Sequence, residues 1–169
     1  MRTIVLAPIV LLAAWASASA QQREAQPLQA CATVAEPWKA PRAIASARDA
    51  AGATQAPFAV GEAIQLALHP DGEVAYVTLP QGEGEAASFG GMASLTVEQA
   101  GTYRVGLSEP VWVDVVLDGK PAETVRFGPG PACSGIRKAV SFVLLPGRHV
   151  LEISGSTLPQ TGVVVERLP

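Results

Sequence analysis

One pattern governs this chain from Phe58 to its end: short runs rich in valine, leucine, isoleucine and aromatics, cut by breaks containing glycine, proline or aspartate. A strand turns its side chains alternately to opposite faces, so a run that is apolar at every second position has one face suited to a core and one suited to water. Such runs predict strands at Ala63–His69, Glu73–Leu79, Ala87–Val97, Gly101–Ser108, Val111–Asp118, Glu123–Phe127, Ile136–Leu145, Arg148–Ser154 and Gly162–Leu168. Between them, Pro70-Asp71-Gly72, Asp118-Gly119-Lys120-Pro121 and Pro146-Gly147 have the chemistry of tight turns. Helical periodicity is absent, and a parallel α/β sheet would need crossover helices between its strands. The pattern therefore predicts an all-β fold: a single Greek-key or jelly-roll β-sandwich over residues 58–169 with an extended N-terminal arm.

The same alternation assigns faces. Tyr103, Val105 and Leu107 oppose Thr102, Arg104 and Ser108, while Val113, Val115 and Leu117 oppose Trp112, Asp114 and Asp118. If these two strands form a hairpin with both apolar faces inward, residue 108 faces 112 and Glu109-Pro110-Val111 is a three-residue loop. Arg104 then lies opposite Val116 and diagonal to Asp114 and Asp118, which predicts a polar Arg–Asp surface beside Trp112. Parity also turns His149 inward with Leu151 and Ile153, and His69 outward.

The N-terminal segment has a different character. Met1-Arg2-Thr3 is cationic, Ile4 to Ala16 is apolar apart from Pro8, and Ala18-Ser19-Ala20 has the small-x-small form of a cleavage site. Residues 1–20 therefore read as a signal peptide cleaved after Ala20, and the protein is expected in the periplasm or outside the cell. The apolar run is short against the ~20 residues that span a bilayer, and no later stretch is long or apolar enough, so no transmembrane segment is expected in the mature chain. Residues 21–57, punctuated by Pro27, Pro37, Pro41 and Pro57, read as an arm with room for a short helix between Arg42 and Ala51. Cys31 and Trp38 are its expected ties to the domain. Leu28-Gln29-Ala30-Cys31 has the form of a lipobox, but polar residues separate it from the apolar run. An exported chain with two cysteines more often pairs them, so a Cys31–Cys133 disulfide is preferred to a lipid anchor, which stays open.

Composition narrows the function. The chain has 49% apolar and 16% charged residues, too apolar for a disordered segment. Without its first twenty residues it holds eleven bases against fifteen acids, so a nucleic-acid partner is not expected. His69 and His149 are the only histidines, and they face opposite ways, so no metal site and no cofactor are expected. Neither Gly-x-Ser-x-Gly nor a Cys–His arrangement is present, and no catalytic residue is assigned. Asp114 and Asp118 form a carboxylate pair with nothing to imply a cleft, so they read as a solvated face. The loop from Gly128 to Gly135, followed by Arg137 and Lys138, can present amides and cations to a ligand, or simply be a stapled structural loop. Trp112 is the candidate platform for a sugar ring, with Asp114 and Arg104 to bond its hydroxyls and Arg137 as a further contact. A Trp112 covered by the arm is the competing expectation.

The segments GTYRVGL, VWVDVVLDGKP and FVLLPGRHVLEISG, within Gly101 to Gly155, resemble the second half of secreted jelly-roll modules of the carbohydrate-binding and protective-antigen types. Over residues 31–155 the chain is also similar to short secreted bacterial proteins. They share an early cysteine, HPxGEVxY (His69 to Tyr76), an aromatic-Gly-Gly segment (Phe89 to Gly91) and GPACxGIRK (Gly130 to Lys138). Some of those proteins carry a homogentisate dioxygenase label, which needs a two-histidine, one-carboxylate iron site that this sequence does not offer. The function expected from these residues is an exported, non-catalytic binding or accessory domain, with a carbohydrate or envelope glycan, or an envelope protein, as partner. A structural or protein-interaction component of the bacterial envelope is the alternative, and a small secreted enzyme the third reading.

Overall fold

The computed structural model describes residues 38–78 and 88–169. The expected signal segment and cleavage site, the lipobox-like segment and Cys31 lie outside the described residues. Among the described residues twelve strands run in chain order: β1 Arg42–Ala45, β2 Pro57–Phe58, β3 Ala63–Ala67, β4 His69–Pro70, β5 Phe89–Val97, β6 Gly101–Leu107, β7 Trp112–Leu117, β8 Lys120–Pro121, β9 Glu123–Gly128, β10 Lys138–Leu144, β11 Gly147–Ser156 and β12 Gln160–Arg167. They form two packed six-stranded sheets. One has the order β1-β3-β12-β6-β10-β9; the other has the order β2-β5-β11-β7-β8, with β4 added on β5. Pairing is antiparallel except where β1 joins β3 and β2 joins β5.

The core lies between the sheets and is built by the alternation read from the sequence. Ile64 and Leu66 of β3, Val105 and Leu107 of β6, Val113 and Val115 of β7, Phe142 and Leu144 of β10, Leu151 and Ile153 of β11, and Val163 and Val165 of β12 all bury their side chains there. His149 joins them, 1% exposed, and its Nε2 is 2.8 Å from the Leu145 carbonyl oxygen. His69 is half-buried on β4, with Nε2 2.9 Å from the Ser46 carbonyl oxygen.

Four expectations need correction. First, the chain between β6 and β7 crosses from one sheet to the other, so these strands form no hairpin. The apolar faces of both strands do point inward, but across the sandwich rather than side by side. Second, of the expected strand Glu73–Leu79, residues 73–78 are described and are not a strand. Asp71–Glu73 is a 3-10 turn, and beyond it only Ala75 makes a bridge, to Asp49. The Asp71 carboxylate bends the chain by accepting hydrogen bonds from Tyr76, from the Ser88 hydroxyl at 2.5 Å and from the Gly155 amide at 2.9 Å. Third, the segment expected as an arm contributes β1 and β2 to the two sheets, and its helix is only Ala50–Ala53, capped by the Asp49 side chain. Fourth, no pair of cysteines stands at bonding distance among the described residues, because only Cys133 is one of them. Cys133 is not a free thiol, but the expected pairing with Cys31 lies outside the described residues.

Trp38 packs on the outer face of the first sheet with Ala63, Ile136, Val164 and Ala139, and its Nε1 donates to the Ser134 carbonyl at 2.7 Å. Gly135 has a φ of +72°, and a Cβ there would sit 2.8 Å from the Trp38 ring. That part of the 128–135 loop is therefore fixed by packing.

Candidate functional site

Trp112 opens β7 directly after the sheet-to-sheet crossing. Its indole is 37% exposed, and its Nε1 donates to Asp114 Oδ2 at 2.7 Å. Residues two apart on a strand share a face, which is why the pair meets. From the other sheet, Lys138 brings Nζ to 5.3 Å from the indole ring centroid while donating to the Val111 carbonyl at 2.7 Å. Burial lowers the pKa of this ammonium, and the Asp114 charge opposes that shift. A cation over an indole at this range is worth about 0.5–1 kcal/mol or more as it loses water. The ring is thus held from one edge by Asp114 and on one face by Lys138.

Trp112, Val113, Asp114, Thr124, Phe127, Lys138 and Val140 enclose a cavity of about 180 Å³. That is below the ~300–1,000 Å³ typical of a whole drug-sized ligand, and suits one ring or the end of a chain. Thr124 and Phe127 both reach it although they stand three positions apart on the strand. Arg126 faces Ser141 and Thr124 faces Phe142, so Val125 is the extra residue of a β-bulge. The bulge shifts the alternation and brings the 77%-exposed Phe127 to the same side as Thr124.

The other expected contacts lie elsewhere. Arg104 is not beside Asp114 but on the first sheet, between Glu166 of β12 and Ser141 of β10, with its Nη2 2.5 Å from Glu166 Oε2. It meets the Gly128–Pro131 part of the loop in a separate cavity of about 370 Å³, of which Arg126 and Ser141 are also walls. Arg137 is exposed, pairs with Glu109 at 3.2 Å, and lines neither cavity. The structure therefore joins Trp112 to Asp114, joins Arg104 to the loop, and leaves Arg137 out of both groups.

Thr124 and Phe127 were missed from the sequence, and Lys138 was read as a cation following the 128–135 loop, not as a neighbour of Trp112. Lys138 continues the inward parity of Val140, Phe142 and Leu144, which is the one signal that could have found it. A second omission is the polar network over the other sheet. Glu152, 3% exposed and directly across from Asp114, accepts from the Val77 amide at 2.6 Å, the Thr78 amide at 3.1 Å and the Thr78 hydroxyl at 2.5 Å. The Tyr76 hydroxyl donates to Asp71 and also lies 2.9 Å from the Ile153 carbonyl oxygen. Burial first, then the bond to Asp71, pushes the Tyr76 phenol well above its ordinary pKa. Asp71 and Tyr76 belong to the HPxGEVxY segment, and the polar groups of both are occupied in holding the chain.

Among the described residues no group of three or more His, Cys, Asp or Glu side chains could hold a metal, and no helix is long and apolar enough to cross a membrane. A scan against protein-family models finds no match to this chain, and a search of curated proteins finds none either.

Proposed function

We propose that this protein is an exported, non-catalytic carbohydrate-binding or accessory domain of the bacterial periplasm or exterior, with a jelly-roll or Greek-key strand order. Its ligand is a carbohydrate or envelope glycan whose terminal ring stacks on Trp112. The observation that carries this reading is the immobilised indole: it is part exposed, tied by Asp114, backed by Lys138, and borders a cavity that Phe127 flanks. An apolar platform beside a carboxylate, an ammonium and the Thr124 hydroxyl matches a sugar, which offers C–H faces and hydroxyl edges together. A glycan-array screen of the purified protein, followed by calorimetry on the best oligosaccharide, tests it. Trp112→Ala should weaken binding by about 30-fold or more, the loss expected of a central aromatic anchor, with the fold intact by circular dichroism. Unchanged affinity in that variant removes the reading.

One observation favours a protein-interaction role instead. Val125, Phe127, Val143 and Leu145 are all exposed on or beside β9 and β10, at one edge of the first sheet. Concentration-dependent association in sedimentation, abolished by Phe127→Ser, would place that role ahead of glycan binding.

A further inference from the structure

The second cavity is built by one row of side chains that crosses four neighbouring strands. Glu166 of β12 stands beside Arg104 of β6, Arg104 beside Ser141 of β10, and Ser141 beside Arg126 of β9. Neighbouring strands lie about 4.8 Å apart, so the two arginine backbones flank Ser141 with about 10 Å between them. Arg104, Arg126 and Ser141 line the same cavity, which is walled by Gly128, Pro129, Gly130, Pro131, Phe127 and Ala139. No carboxylate lines it.

The charges there are incompletely matched. Glu166 takes Nη2 of Arg104, and the buried Nε of that guanidinium has no acceptor among the described residues. Neither the Arg126 guanidinium nor the Ser141 hydroxyl has a hydrogen-bond or ion-pair partner among the described residues. Two guanidinium groups converging on one concavity repel each other, in a chain that is acidic overall. An anion between them would remove that repulsion, and the planar fork of arginine fits a carboxylate or phosphate oxygen pair.

We infer that this cavity is an oxyanion site, which takes a carboxylate or phosphate group of a small acidic ligand between Arg126 and Arg104. The Ser141 hydroxyl donates to the same group, and the two prolines keep the loop wall in place because their φ angles are fixed. The site shares only the Phe127 wall with the Trp112 cavity, and its ligand need not be the one that stacks there.

Titration of the isotope-labelled protein at low ionic strength, with inorganic phosphate in one arm and sodium glucuronate in the other, tests this. Saturable amide shifts are expected at Arg126, Ser141 and the 128–131 loop, weakening as sodium chloride is added. Arg126→Gln, at an exposed position that leaves the core untouched, should weaken binding by about tenfold or more, and Ser141→Ala should weaken it less. Trp112→Ala should leave it unchanged. Tighter phosphate binding identifies a phosphate-bearing ligand, and tighter glucuronate binding identifies an acidic sugar; either outcome supports the site. Absence of saturable shifts with both probes, or an Arg126→Gln protein that binds as the parent does, overturns it.

Discussion

Gly90 lies in β5 where the Tyr76 hydroxyl, Asp71 Oδ1 and the Ile153 carbonyl oxygen crowd the place a Cβ would occupy. All three belong to one hydrogen-bonded set, and the carbonyl is backbone that cannot swing aside. Alanine at this position must therefore push Tyr76 off Asp71 or spread β5 from β11. Overpacking of this kind costs about 1–3 kcal/mol, and losing a hydrogen bond to a charged group about 1.5–3 kcal/mol more. Alanine recovers about 0.5–1 kcal/mol through the lower backbone entropy of its unfolded chain. The net expectation is a loss of about 2–5 kcal/mol for Gly90→Ala. Urea unfolding measures it as a fall in midpoint at constant slope. Gly72→Ala is the control: a Cβ there meets nothing within 4 Å, so its stability should stay within about 0.5 kcal/mol of the parent. Tyr76→Phe in the Gly90→Ala background should recover part of the loss, since it removes the nearest clashing atom. A Gly90→Ala protein within about 0.5 kcal/mol of the parent would refute the packing argument.

Val115 is fully buried between the sheets, so Val115→Ala should cost ~0.5–2.5 kcal/mol in the same urea assay; a neutral result would contradict the inward face of β7. The raised Tyr76 pKa gives a pH test. The unfolded chain releases this proton near pH 10 while the fold retains it, so the contribution is fully present below about pH 10 and is lost as pH rises further. Tyr76→Phe should flatten that alkaline loss, and Lys138, whose lowered pKa acts in the opposite direction, is common to both proteins. Equal alkaline slopes in parent and variant would show that Tyr76 is not the group responsible.

What the sequence made legible was local. Residues 105, 107, 113, 115, 142, 144, 151 and 153 reach the core because period-two alternation is a property of each strand alone. Trp112 and Asp114 were found together for the same reason, being two apart on β7. Neighbour relations were not legible. Two amphipathic strands bury their apolar faces equally well as a hairpin or as members of opposed sheets, and nothing within 101–118 distinguishes the two. The hairpin register placed Arg104 beside Asp114 on that account, whereas its charged neighbour is Glu166, sixty-two residues away in sequence. Tyr76 and Val77 alternate well enough to read as a strand, and the competing influences are a 3-10 turn around Asp71 and the Glu152 carboxylate on β11.

The two cavities show how little is needed to complete the local reading once the sheet order is known. Lys138 and Ser141 are an odd number apart on β10, so they face opposite sides of the sheet, and each enters a different cavity. Arg126 and Phe127 are adjacent on β9, and Arg126 reaches only the loop side while the ring of Phe127 borders both. The edge made by β9 and β10 thus presents an aromatic surface toward the opposing sheet and a cationic surface away from it. The strand layer lies between the polar groups of the two sites, and no hydrogen bond joins Asp114 or Lys138 to Arg104 or Arg126 among the described residues. Changes at residues 112 and 126 should therefore act nearly additively, because the two cavities share only the Phe127 wall and no polar partner.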